Sequence, residues 1–423
     1  MPGISSKKWA PWLTGLACAA ALTACHHGSP VQPPGSQADS QAQGQQGQQG
    51  AAPPVKEEAP PTPVERMSLD EKIGQMVIAG MDGYEINPHT RELIQNDHVG
   101  GLILYKPNVK STAQLTELVN ALKQANEGSR LPLWLGVDEE GGRVTRLPDE
   151  LQKTPASQVV GRTGKPEFAY GIGSLLGKEL SAYGFNVDFA PVLDVNSNPN
   201  NPVIGDRSFG AEASLVSSMG VQEMKGLQSQ KVLPVVKHFP GHGDTSVDSH
   251  LGLPIVQNDM ERLLKLELVP FAEAFGQQAD AVMVAHILLP KLDPDVPASM
   301  SKEVMTNLLR KEIGFEGVIM TDDMTMGAIE QHYTIEEAAV KSVQSGANVI
   351  MVGHDYDKAV AVIGAIRRAV DDKRIPAELI DDSVNRIYKL KQKYQVNDHP
   401  VAVPDTQALN ASVKELLAAY QHK

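Results

Sequence analysis

Leu133-Trp-Leu-Gly-Val-Asp-Glu-Glu140 is five uncharged residues followed at once by three acids. A run this short, not alternating and bounded by charge, reads as a strand buried on both faces. Seven more runs of this kind follow or precede it: Met76–Ala79, Gly101–Tyr105, Phe189–Val195, Leu233–Phe239, Ala281–Ala285, Gly317–Met320 and Asn348–Val352. Between them the pattern turns helical. Ser68-Leu-Asp-Glu71 and Thr334-Ile-Glu-Glu337 have the capping-box spacing, and Ser111 precedes Leu115, Leu118, Val119 and Leu122 on one helical face. Repeated strand–helix units predict an α/β fold, and eight of them predict a (β/α)8 TIM-type barrel. The competing architecture is a doubly wound open sheet. Its glycine fingerprint is missing: Gly171, Gly173 and Gly177 have the wrong spacing and sit in a helical pattern. Gly161-Arg-Thr-Gly164-Lys165 is no P-loop, because Val159 stands where glycine is required and Pro166 where Ser or Thr is required.

The chain has 423 residues, with 38 basic and 51 acidic side chains and a net charge of −13. Residues 1–64 contain three lysines (Lys7, Lys8, Lys56) and three acids (Asp39, Glu57, Glu58), so the whole excess lies on the body. A body that acidic repels a phosphate backbone, and aromatics at 5% offer few stacking platforms, so nucleic acid is not an expected partner.

Lys7 and Lys8 precede an apolar stretch, Trp9–Ala24, too short for a membrane span and in the order of a secretory signal. It ends in Leu22-Thr23-Ala24-Cys25, which resembles a bacterial lipobox. The expectation is a signal peptide over 1–24, lipid on Cys25 and a Gln/Gly/Pro-rich tether over 25–64. The protein would then be extracytoplasmic and held to a bacterial membrane by its lipid. The two cysteines, Cys18 and Cys25, both lie in this leader, so neither disulfides nor thiol chemistry is available to the body. The barrel is expected over 65–398 as a single catalytic domain without a C-terminal second domain, with 399–423 a tail.

Active sites of such barrels lie at the C-terminal ends of the strands. Three runs end there in charge: at Asp138-Glu139-Glu140, at Lys237-His238 and at Thr321-Asp322-Asp323. The richest stretch is Lys237-His-Phe-Pro-Gly-His-Gly-Asp-Thr-Ser-Val-Asp-Ser-His250. Its Gly, His and Asp content predicts a loop over the barrel mouth. Asp248 and His250 are two apart, so in an extended segment carboxylate and imidazole point the same way. A carboxylate on one ring nitrogen leaves the other free to act as acid or base. A metal site on His238, His242 and His250 is the alternative use of these residues; their spacing fits no familiar zinc pattern.

This stretch resembles the signature of the β-N-acetylglucosaminidase branch of glycoside hydrolase family 3: Lys-His-(Phe/Ile)-Pro-Gly-(His/Leu)-Gly, four variable residues, Asp, Ser or Thr, His. Asp138-Glu-Glu-Gly-Gly-Arg143-Val-Thr-Arg146, Gly205-Asp-Arg207-Ser-Phe-Gly210 and Thr321-Asp-Asp-Met324 are similar to further family motifs, in order. Glu139 departs from the usual Gln. The resemblance spans about residues 65–395. It implies Asp322 as nucleophile, His250 as acid then base assisted by Asp248, and Asp138, Arg146, Arg207, Lys237 and His238 on the sugar hydroxyls. It implies no cofactor and no metal. Larger family members take a carboxyl acid from a second domain, a role that falls here to the Asp248–His250 loop. The implied activity is exo-acting, retaining removal of terminal β-GlcNAc from glycans, with muropeptides as the expected source. A phosphorylase using the same site and a retired sugar-binding lipoprotein are the other readings.

Overall fold

The computed structural model describes residues 61–421. The expected signal peptide, Cys25 and nearly all of the tether lie outside the described residues. Eight parallel strands close into one barrel: β1 (Val77–Ala79), β2 (Gly101–Ile103), β3 (Trp134–Val137), β4 (Val187–Asp188), β5 (Leu233–Phe239), β6 (Ala281–Val284), β7 (Val318–Asp323) and β8 (Val349–Val352). The ladder is sequential, and β8 returns to β1 with Ile78 opposite Met351. Helices fill each crossover, as parallel pairing requires. Every strand residue except Asp322 is buried, because the barrel interior is packed with side chains and helices cover its outside.

Two strands differ from the expected runs. β4 precedes Phe189–Val195 and consists of Val187 and Asp188. The apolar run fails as a strand at Pro191, which has no N–H to give to a ladder. Beyond it the chain stays extended and buried, touching β5 through Leu193 N–H to Lys237 O at 2.6 Å and Lys237 N–H to Pro191 O at 3.1 Å. Its apolar character comes from that burial. β7 runs three residues past the expected end at Met320, so Asp322 and Asp323 are held by the strand itself. The glycines 171, 173 and 177 lie inside the helix Pro166–Ala182, as expected of a packing pattern.

Local signals do their expected work. Ser68 Oγ accepts from Glu71 N–H at 3.2 Å, while the Glu71 carboxylate accepts from Ser68 N–H at 2.7 Å. Ser111 and Thr334 cap their helices with one arm each. At the N-terminal end of the barrel, Lys391 of the helix Ala377–Lys393 is fully buried. Its ammonium donates to Gln75 Oε1 (2.9 Å), Gly100 O (2.8 Å) and Pro132 O (2.8 Å) and lies 5.0 Å from the Trp134 ring centre. Burial pushes its pKa down to about 7. Three acceptors match three ammonium protons, so the last barrel helix closes the floor of the barrel. Thr406–Gln421 is a helix whose Tyr420 stacks on Phe168, with ring centres 4.4 Å apart. No helix among the described residues is long and apolar enough to cross a membrane.

Candidate active site

The C-terminal mouth of the barrel opens into a cavity of about 390 Å³. All eight residues expected in the body's site line it: Asp138, Arg146, Arg207, Lys237, His238, Asp248, His250 and Asp322. They come from the ends of β3, β5 and β7 and from the loops after β3, β4 and β5, as this fold arranges a site.

On one wall, Lys237 is buried between two carboxylates. Its ammonium lies 2.6 Å from Asp138 Oδ1 and 2.7 Å from Glu140 Oε1. Glu140 also takes a two-pronged contact from Arg207, Nε to Oε2 at 2.8 Å and Nη2 to Oε1 at 2.7 Å. Burial opposes charge on Glu140, but Arg207 and Lys237 outweigh it and hold the carboxyl far below its ordinary range. Burial likewise opposes the charges of Lys237 and Arg207, and their acidic partners push both pKa values up. Arg146 reaches toward Asp138 Oδ2 at 3.8 Å, and Arg143 bonds Asp206 Oδ1 at 2.7 Å, pinning the loop that carries Arg207. The result is a set of fixed donors and acceptors suited to sugar hydroxyls.

On a second wall, Asp194 organises the histidines. Its Oδ2 lies 2.6 Å from His238 Nδ1, and its Oδ1 accepts from His242 N–H at 2.6 Å. His242 bonds Thr245 Oγ1 through Nδ1 (2.8 Å) and Ser249 Oγ through Nε2 (3.1 Å). Burial, helped by the neighbouring His238, pushes His242 down to about 4, so the ring is neutral at neutral pH. Both ring nitrogens of His242 are thus engaged in hydrogen bonds within the loop. Among the described residues no cluster of His, Cys, Asp and Glu has metal-binding geometry.

Asp322, the next-to-last residue of β7, lines the cavity. Its Oδ1 accepts from Asp323 N–H at 2.8 Å, and its Oδ2 has no protein hydrogen bond among the described residues. Burial would raise its pKa, but His286, His238, the Asp323 N–H and His250 together bring it below the usual value. Asp323 points away to serve the backbone, accepting from Gly353 N–H and Thr325 N–H at 2.8 and 2.9 Å. Gly353 has to be glycine, since a Cβ there would overlap the Asp323 carboxylate and the Tyr105 hydroxyl. Across the cavity His250 Nδ1 lies 2.7 Å from Asp248 Oδ1, which also accepts His250 N–H at 2.9 Å. Nε2 is left free. The His250 side chain is 63% exposed.

Four residues of this cavity wall or its support escaped the expected set. Glu140 was visible as the third acid after β3, and Asp194 as the one charge in an apolar run. Tyr105 and His354 line the cavity and stack with ring centres 4.7 Å apart. Tyr105 closes the apolar run Gly101–Tyr105 and His354 follows Asn348–Val352 by two residues, which is the signal that could have found them.

Residues 68–390 match the family model described as "Glycosyl hydrolase family 3 N terminal domain". The chain is 36% identical over 355 residues to Beta-hexosaminidase A of Pseudoalteromonas piscicida, covering 78% of this chain and 59% of that protein's length. It is 34% identical over 394 residues to Beta-hexosaminidase LpqI of Mycobacterium tuberculosis, covering 89% of this chain and 96% of that one. Among solved structures, a family 3 β-N-acetylglucosaminidase from Paenibacillus sp. str. FPU-7 superposes with a TM-score of 0.78 at 42% identity, covering 83% of this chain and 68% of that one. The chain belongs to glycosyl hydrolase family 3. Within it, the chain is a glycoside hydrolase of the β-N-acetylhexosaminidase type.

The wall predicts its own weak point. Glu140→Gln keeps the shape but leaves Lys237 and Arg207 without their shared anion. Breaking a buried pair of this kind costs about 3–5 kcal/mol. The variant should melt well below the parent and should bind a non-hydrolysable sugar analogue more weakly. An unchanged melting temperature together with unchanged sugar binding would remove Glu140 as the organiser of this wall.

Proposed function

We infer that the protein removes terminal β-linked GlcNAc from the non-reducing end of glycans, with retention. The observation that carries this is one cavity holding an ionised, half-free carboxylate (Asp322), a carboxylate–imidazole pair (Asp248–His250) and the Asp138/Lys237/Arg207/His238 wall. The β-hexosaminidase names of the relatives support GlcNAc as the sugar.

Asp322 Oδ2 attacks the anomeric carbon while the bond to the leaving oxygen breaks. His250 Nε2–H gives its proton to that oxygen. The glycosyl–Asp322 ester forms as the aglycone leaves. Water then attacks the same carbon, His250 takes its proton, and the ester bond breaks to return the carboxylate. Asp248 on Nδ1 orients the ring and fixes its tautomer, so that Nε2 faces the leaving oxygen and then the water. Asp138, Arg146, Arg207, Lys237 and His238 hold the sugar hydroxyls.

The Leu22-Thr-Ala-Cys25 stretch supports a lipid anchor on Cys25 and an extracytoplasmic place on a bacterial membrane. From that place, peptidoglycan-derived muropeptides are the β-GlcNAc source within reach.

Nitrophenyl β-GlcNAc should be turned over in preference to nitrophenyl β-glucose, at a rate indifferent to phosphate. A sugar-phosphate product would make the protein a phosphorylase instead, and sugar binding without turnover would make it a retired barrel. Asp322→Ala should abolish covalent labelling by a fluorinated GlcNAc analogue; labelling that persists would remove Asp322 as the nucleophile. His250→Ala should slow methyl β-GlcNAc by about 10²-fold or more and nitrophenyl β-GlcNAc far less, since only the poor leaving group needs the proton. Equal losses on both would contradict the acid role. Cys25→Ser should move the full chain from the membrane to the soluble fraction; a parent chain already soluble would contradict the anchor.

A further inference from the structure

The loop bearing Asp248 and His250 is fastened at its root, at its tip and at its exit, where Val256 N–H donates to Leu288 O at 3.0 Å and Leu288 N–H to Pro254 O at 2.9 Å. Its root is tied to the segment after β4: Asn201 Nδ2 donates to His242 O at 2.8 Å, and Asn198 Nδ2 to Thr245 O at 3.0 Å. Its tip rests on the short helix Gly327–Glu330, which begins four residues after β7. Three consecutive carbonyls meet this turn. Ala328 N–H donates to Ser249 O at 3.0 Å, and Gln331 Nε2 donates to Leu251 O at 2.9 Å. Between them Gly327 packs under the His250 carbonyl so closely that a Cβ there would stand 2.6 Å from that oxygen. Among the described residues, these two are the hydrogen bonds by which residues 246–252 reach outside their own loop.

We propose that the turn 327–331 is a seat that sets the reach of His250, and that Gln331 is a positioning residue for the acid/base step. The proposal rests on the reading of His250 as that acid/base. The seat follows β7, the strand that carries Asp322, so the proton donor is registered against the nucleophile rather than against the barrel at large. A retaining glycosidase needs that registration: donor and nucleophile act on opposite sides of one bond, and small misplacements are costly. Burial cannot supply it, because the His250 side chain is mostly exposed. The backbone contacts of residues 249–251 supply it instead. Gln331 is exposed and does not line the cavity, so it acts only through Leu251 O and the loop it holds. The seat also accounts for glycine at 327, the one residue type that lets the His250 carbonyl sit there.

The test uses the intact chain with Gln331→Ala and with Gln331→Glu, which keeps the shape and replaces the donor with an acceptor. Turnover of methyl β-GlcNAc and nitrophenyl β-GlcNAc is measured beside the melting temperature. Both variants should lose about tenfold in kcat/KM on the methyl glycoside and less than about twofold on the nitrophenyl one, with melting unchanged. In a His250→Ala background, Gln331→Ala should add no further loss on the methyl glycoside. Equal losses on the two substrates, no loss on either, or a full additional loss without His250 would each overturn the seat. If His250→Ala itself slows both substrates equally, the acid reading falls and the seat with it. If His250→Ala is selective and the Gln331 variants are silent, the seat alone falls.

Discussion

Glu140 is the residue on which the charged wall of the cavity depends. A carboxylate this deeply buried is costly unless fully partnered, and here two cations, Lys237 and Arg207, meet it within 2.8 Å. The arrangement works in both directions. Without the anion Arg207 would be a buried charge lacking its partner and Lys237 would keep Asp138 alone, and the anion would take up a proton without them. Because Lys237 also bonds Asp138, and Asp138 faces Arg146, the pattern of alternating charge runs from β3 through β5 to the loop after β4. A sugar hydroxyl entering it meets groups whose positions are already set by one another. The reorganisation was completed on folding, which is what preorganisation means energetically.

Asp194 plays the matching part for the histidines. It emerges from the segment after β4 that meets β5 in a single bridge, Val192 beside Lys237, and this contact sets its carboxylate next to His238. That carboxylate takes His238 Nδ1 and the backbone N–H of His242 together, which anchors the first turn of the loop whose tip carries His250.

The barrel was legible in the sequence because each strand is a short, fully buried run, and full burial leaves a compositional trace. β4 was hidden because it is two residues long and ends in Asp188, while the longer apolar run after it is buried and meets β5 only in the bridge of Val192 with Lys237. The site was legible for a related reason: polar residues at the ends of apolar runs, Asp138, Lys237, His238 and Asp322, can only face the mouth of a barrel. The Asp248–His250 pair was legible from its spacing of two, and the 2.7 Å contact has the expected geometry. Residues that act across the chain were not legible. Glu140 looks like Glu139 in the sequence, yet Glu140 faces Arg207 and Lys237. Glu139 instead bonds the backbone N–H of Arg146 at 2.7 Å, and burial raises its pKa. Which of two adjacent acids meets the cations is a matter of strand-end direction and of a residue 67 positions away.

The two reactive groups sit in opposite surroundings, and the chemistry proposed for them requires it. A nucleophile has to be ionised, immobile and unencumbered on one oxygen. Asp322 achieves this at the end of a barrel strand, with Oδ1 held by the next backbone N–H and histidines around it offsetting the cost of burial. A proton donor has the reverse needs. It must gain and lose its proton within one cycle, and it must meet leaving groups of varied shape. An imidazole on an exposed loop suits this, because Asp248 holds one ring nitrogen while the other is turned to give and take the proton. The cost of exposure is lost position. Asp248 fixes the ring against its own loop, but it cannot fix the loop against the nucleophile; only contacts with the end of β7 can do that, and the carbonyls of residues 249 to 251 are where the loop makes them.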